Sequence, residues 1–230
     1  MDDRPGPRRL VDAAGGRLVG PILVALLVLV AAPFTRVATA SEASLSRVAG
    51  ADRYSTAVAI SSTFAPGVSA AYIAVGTDFP DALSGAAAAG VNRDPVLLVT
   101  PNSIPASVGA ELTRLAPARI VILGGPGAVS AGVEAALDGY TTGPVQRLAG
   151  ADRYATSAAI SAATFTPGVP VAYVAVGSNF PDALAGAAAA GHVGAPVLLV
   201  KTDSIPGPIA AELARLAPGR IVVLGGPSVV

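Results

Sequence analysis

The stretch DFPDALSGAAAAG (78–90) recurs as NFPDALAGAAAAG (179–191), and its charged opening and nearly volumeless tail decide how this chain is read. Each copy follows an apolar run, AYIAVG or AYVAVG, which is the pattern of a strand leading into a helix. Asp78 is the expected N-cap, Pro80 falls in the first turn, and Asp81, three residues after the cap, sets a negative charge beside free N–H groups. Asn179 in place of Asp78 suits a cap, because both side chains offer an oxygen, and argues against a metal ligand or a catalytic acid. The tail lets the helix approach a sheet or another helix very closely, within one unit or between units.

The flanking sequence repeats as well. RVAGADRYSTAVAIS begins at Arg47 and RLAGADRYATSAAIS at Arg147, an offset of 147 − 47 = 100 residues. After one inserted residue the offset becomes 101, as Ala74 and Ala175 (AVG), Pro95 and Pro196 (PVLLV) and Leu123 and Leu224 (LGG) show. The second copy stops at Val230, opposite Val129, so the expected organisation is a first repeat over 41–145 and a C-terminally incomplete second over 146–230.

Within the first copy, strand candidates start at Ala71, Pro95 and Arg119, each 24 residues after the last. Their continuous hydrophobicity fits strands buried on both faces of a parallel sheet. Between them run helical stripes: Ala57, Ile60 and Phe64; Ile104, Val108, Leu112 and Leu115; Val129, Val133 and Leu137; and, in the second copy, Ile205, Ile209, Leu213 and Leu216. The fold class is therefore α/β, in tandem units, each a mostly parallel sheet with helices on both faces.

Composition narrows the function. The 230 residues are 52% hydrophobic and 13% charged, which excludes a disordered chain, and a net charge of +0 removes the electrostatic case for nucleic acid. With no cysteine there is neither disulfide nor thiolate chemistry. Residues 1–40 differ in kind: four arginines precede GPILVALLVLVAAPF and the small-x-small ATA at Ala38 to Ala40, the order of a cleaved secretory signal peptide. The apolar run is shorter than the ~20 residues of a spanning helix, so no membrane association is expected after cleavage. One lysine against fourteen arginines matches the usage of a high-GC, actinobacterial genome.

Catalysis finds little support. His192, the one histidine, stands where the first copy has Val91, and neither HExxH nor GxSxG is present. GGPGAVSAG at Gly124 lacks a proper GxGxxG, so no cofactor is expected.

In order and spacing, RVAGADRYSTAVAIS, VGTDFPDALSGAAAAG, PVLLV and IVILGG resemble the cell wall-binding repeat 2 family of Gram-positive surface proteins. The resemblance implies Rossmann-like or Toprim-like units, usually three, packed about a pseudo-threefold axis and holding a secreted protein noncovalently to an anionic cell-wall polymer. The implied partners are that polymer and a third repeat, or a second copy through self-association. An enzyme modifying wall glycan and a self-associating structural protein are the alternatives.

Arg53 and Arg153 stand out as candidate ligands of such a polymer. Each follows an N-cap aspartate, in a first helical turn where the dipole disfavours a cation. A guanidinium there either grips a phosphate or carboxylate or pairs with a nearby acid, Asp81 or Asp182 being the candidates. Arg47 and Arg147, on the segment before the helix, have similar standing. Ligands of open parallel sheets collect beyond the carboxyl ends of the strands, where Thr77, Ser178 and Ser103 could add hydroxyl contacts.

Overall fold

The computed structural model describes residues 44–179 and 181–230. The leader and the expected cleavage after Ala40 lie outside them. All the elements below fall within the unit Ser46–Val230.

The first repeat runs α1 (Arg53–Ser61), β1 (Ala71–Val75), α2 (Pro80–Asn92), β2 (Val96–Val99), α3 (Ala106–Leu115), β3 (Ile120–Leu123) and α4 (Ala131–Leu137), followed by a short 3-10 turn. The second runs β4 (Val145–Leu148), α5 (Arg153–Thr164), β5 (Ala172–Val176), α6 (Pro181–Val193), β6 (Val197–Val200), α7 (Gly207–Leu216) and β7 (Ile221–Leu224). Every strand pairing is parallel, as strands joined through helical crossovers allow.

Pleating sends alternate residues of β1 to two different cores. Ala71, Ile73 and Val75 join Val108, Leu112 and Leu115 of α3 and Val133 and Leu137 of α4. Tyr72 and Ala74 face the other way, onto Ala88 and Ala89 of α2. The continuous apolar runs thus serve a sheet covered on both sides.

Sheet order holds the main surprise. The first sheet reads β2-β1-β3-β4, and its edge strand β4 belongs by sequence to the second repeat. Ile120 to Leu123 pair in register with Val145 to Leu148. The segment expected to be a mere lead-in to a helix therefore closes the preceding sheet. In the second sheet, β6-β5-β7, no strand among the described residues pairs with the outer side of β7, where Ile221 and Val223 are about half exposed.

The joint between repeats explains the small-residue helix. Leu83, Ser84, Gly85, Ala87, Ala88 and Ala89 are all buried, because α2 touches β1 and β3 of its own sheet and α5, α6 and β6 of the next. A Cβ on Gly85 would stand 2.1 Å from Leu123 Cδ1, and one on Gly90 would stand 3.1 Å from Gly191 Cα on α6. Buried Ser157 of α5 accepts from Ser84 at 3.0 Å, donates to Val197 O at 3.2 Å and accepts from Leu199 N–H at 3.1 Å, joining α2 to the edge of β6. In α6 the same motif is half bare: Leu184, Ala185, Ala188 and Ala189 are exposed.

Two expectations need correcting. Helix α2 is capped by Phe79, without a side-chain cap, and not by Asp78, whose Oδ1 accepts from the Phe79 N–H at 2.9 Å. The helical backbone begins one residue later than the aspartate, and Pro80 brings no N–H to be capped. The stripe of α1 also breaks, since Phe64 lies beyond its last residue and Ile60 is 53% exposed while its counterpart Ile160 is 1% exposed. The difference is α2, whose Ala88 and Ala89 cover Ile160.

Candidate functional site

At each GADRY corner the aspartate does what its sequence predicts. Asp52 accepts from the Ser55 N–H at 2.7 Å within a capping box, and Asp152 from the Ala155 N–H at 2.8 Å. Hydrogen bonding from the Ser55 N–H, then from its hydroxyl, holds the Asp52 carboxyl below the usual range.

The arginine that breaks the dipole rule has a local task. Arg53 Nη1 donates to the carbonyl of Gly76, just past β1, and Arg153 Nη1 donates to that of Gly177, just past β5, at 2.6 Å. Each guanidinium thereby ties the start of a helix to the carboxyl end of a strand, and the glycine is required by the approach. A Cβ on Gly177 would lie 2.9 Å from the Tyr154 ring and 3.3 Å from Arg153 Cδ.

Arg153 also reaches across the repeat boundary. Its Nη2 stands 3.9 Å from Asp78 Oδ2, so the carboxylate it meets is Asp78, and neither Asp81 nor Asp182 forms a salt bridge with it. Arg53 has no ion pair among the described residues and is exposed. Asp78, Asp81, Asp152 and Arg153 line a polar cleft of about 350 Å³ between the repeats, walled on one side by Gly125 and Pro126.

In that cleft the Asp81 carboxyl is pushed up from its ordinary value, first by burial and then by the charge of Asp78, with Arg153 opposing. Its Oδ2 sits where a Cβ on Gly124 (φ +98) would come within 2.2 Å. An acid whose folded pKa is raised binds its proton more tightly when folded, so stability falls as pH rises from the unfolded value, near ~4, through the folded one. Asp81→Asn should therefore give a higher denaturation midpoint than the parent at pH 7, and the gap should close near pH 4. Urea titrations at the two pH values measure this.

The other expected residues are scattered. Arg147, on β4, donates to Gly124 O at 2.7 Å and to Glu134 Oε2 at 2.8 Å, which locks the borrowed strand to its host sheet. Arg47 is exposed, with no side-chain partner among the described residues. Asp182 stands against Gly225 as Asp81 does against Gly124. Ser178 is exposed, and Ser103 is held by Thr100 at 2.7 Å. Thr77 is also exposed and borders an apolar cleft of about 740 Å³ over α1, between Ile60, Phe64 and Leu98 of the first repeat and Leu184 of the second. The arginine-to-carbonyl bonds and the role of Asp78 escaped sequence reasoning, since both depend on residues 23 to 75 positions apart (76 − 53 = 23; 153 − 78 = 75).

The sequence matches the family described as Cell wall binding domain 2 (CWB2) over residues 47–134 and 147–230. Among curated proteins of Bacillus subtilis (strain 168), it is 32% identical to Amidase enhancer over 75% of this chain and 24% of that protein. It is 28% identical to N-acetylmuramoyl-L-alanine amidase LytC over 80% of this chain and 36% of that one. The chain thus spans about a quarter to a third of the length of these relatives. Cwp6 from Clostridium difficile superposes with a TM-score of 0.72 at 28% identity, covering 84% of this chain and 32% of that chain. Cwp8 from the same organism gives 0.71 at 28% identity, covering 80% and 31%. Both repeats carry the match, and the chain belongs to the cell wall binding domain 2 family.

Proposed function

We propose that this chain is a secreted, noncatalytic module that attaches noncovalently to the bacterial cell wall by binding an anionic wall polymer. The observation that carries the reading is the family match across both repeats. Tandem units of one design favour many modest contacts along a repetitive polymer, where avidity replaces a single tight pocket. Arg53, exposed and without an ion pair, is the side chain of the ADRY corners best placed to meet an anion. The open face of α1 suits a further unit of this kind, or a second copy, presenting a helix like α2.

Pelleting with purified walls, before and after chemical removal of their anionic polymers, tests the proposal. Retention should be lost only on the stripped walls; equal pelleting with both would overturn polymer binding. Arg53→Ala should weaken pelleting severalfold while lowering the denaturation midpoint only by the loss of its bond to the Gly76 carbonyl, whereas Arg153→Ala should also loosen the joint between repeats, because its partner Asp78 lies in the other one. The amidase names among the relatives favour a second reading, an enzyme modifying wall glycan at its amide link to peptide, and release of free peptide from walls by the purified chain would establish it.

A further inference from the structure

The two ends of the joint between repeats differ in charge. At the carboxyl ends of the strands, where α2 begins, the polar cleft collects three carboxylates against one guanidinium, and that guanidinium is already bonded to the Gly177 carbonyl. At the other end of α2, about 20 Å away by helix rise, a second cleft of about 470 Å³ opens where Gly90 and Gly191 cross. Its lining contains Arg93 and His192 and no carboxylate.

Both side chains stand at a helix carboxyl end, where the dipole favours a cation, but neither is bound by a partner in the fold. Among the described residues, Arg93 and His192 make no side-chain hydrogen bond or ion pair, and both are exposed. Three of the last-turn carbonyls are taken by backbone: Arg93 N–H and Asp94 N–H bond to Gly90 O and Ala89 O, and Ala195 N–H bonds to Ala190 O. The nearest acid in sequence, Asp94, is buried and occupied by Ser69 and the Ala70 N–H. Arg93 moreover sits in the left-handed region, φ 57, where the second repeat places Gly194 at φ 72. Glycine adopts that backbone freely and arginine does not, so the first repeat keeps a cation at the expense of an easier turn.

We propose that Arg93 and His192 form an anion subsite at the amino end of the joint, taking phosphate or carboxylate groups of a polyanion that lies across both repeats. The inference rests on the wall-attachment reading and adds to Arg53 a second contact point, at the opposite end of the strands. A guanidinium and an imidazole that line one groove with no carboxylate in its wall suit an oxyanion, which can accept from both.

The test exchanges each residue for its counterpart in the other repeat, Arg93→Gly with His192→Val, two substitutions the fold already accepts at those positions. Inorganic polyphosphate and poly-glutamate are titrated into the whole chain, with binding read by fluorescence anisotropy. The double variant should bind the preferred polymer at least fivefold more weakly at a denaturation midpoint no lower than the parent's, and His192→Arg should bind as tightly as the parent or more so. Preference for polyphosphate assigns the site to phosphate, and preference for poly-glutamate to carboxylate. Affinity of the double variant within twofold of the parent, or no binding of either polymer by the parent, overturns the subsite. Wall pelleting of the parent is scored separately, so the attachment reading stands or falls on its own result.

Discussion

Ala88→Leu is expected to be among the most damaging single changes in this chain, costing roughly 3 kcal/mol or more, the upper end of the range for overpacking a filled core. Ala88 is fully buried and belongs to the cluster holding Tyr72, Val121, Leu123 and Ile160, so the added carbons meet the host sheet on one side and the second repeat on the other. Relaxation into either space means separating the repeats. The same change at Ala189, the matching position of α6, is exposed and should shift stability by no more than about 0.5 kcal/mol. Urea denaturation of the two variants compares them directly, and equal losses would mean that α2 is not packed between the two repeats.

A comparable loss is expected on removing either buried glutamate. Glu111 accepts from the Ser61 hydroxyl at 2.6 Å and from Arg114 at 2.6 and 2.7 Å, while Arg114 also donates to Phe64 O at 3.1 Å. Glu212, Ser161, Arg215 and Phe165 repeat the arrangement in the second unit. Each cluster ties the end of one helix, α1 or α5, to the middle of another, α3 or α7. Glu111→Ala or Glu212→Ala strands a buried serine and a cation, which costs about 2–3 kcal/mol after discounting for arginines that are 36% and 34% exposed. Arginine hydrogen bonds, chiefly, hold the Glu111 carboxyl below its ordinary value. A depressed acid contributes stability above its unfolded pKa, near ~4.3, and that contribution is lost as pH falls through the folded value. The parent should therefore lose stability below about pH 4 more steeply than Glu111→Ala does; parallel profiles in acid would count against the cluster.

Much of the architecture could be read from the chain because it is encoded locally. Continuous apolar runs marked β1, β2 and β3 to within a residue, and the ADRY aspartates capped their helices as their spacing required. What escaped is what needs a distant partner. Nothing near Val145 to Leu148 tells that this short segment pairs with β3 rather than with its own repeat. Ile60 and Ile160 occupy equivalent positions in nearly identical helices, and only the presence of α2 over one of them separates exposed from buried. For the site, charge type was legible and commitment was not: Arg53 and Arg153 were visible as anomalies, but the carbonyls that occupy them sit in loops 23 and 24 residues away. His192 looked idle in the sequence because its companion, Arg93, is brought to it by the crossing of two helices.

The borrowed edge strand has a consequence for how such genes change. Because β4 precedes its own helix yet completes the sheet before it, the second unit carries the fastener for its upstream neighbour. A recombination event that copies or deletes one full period moves the fastener together with the block it precedes. Arrays of different length can then arise by unequal crossing-over, with no new contact surface having to evolve at the seam.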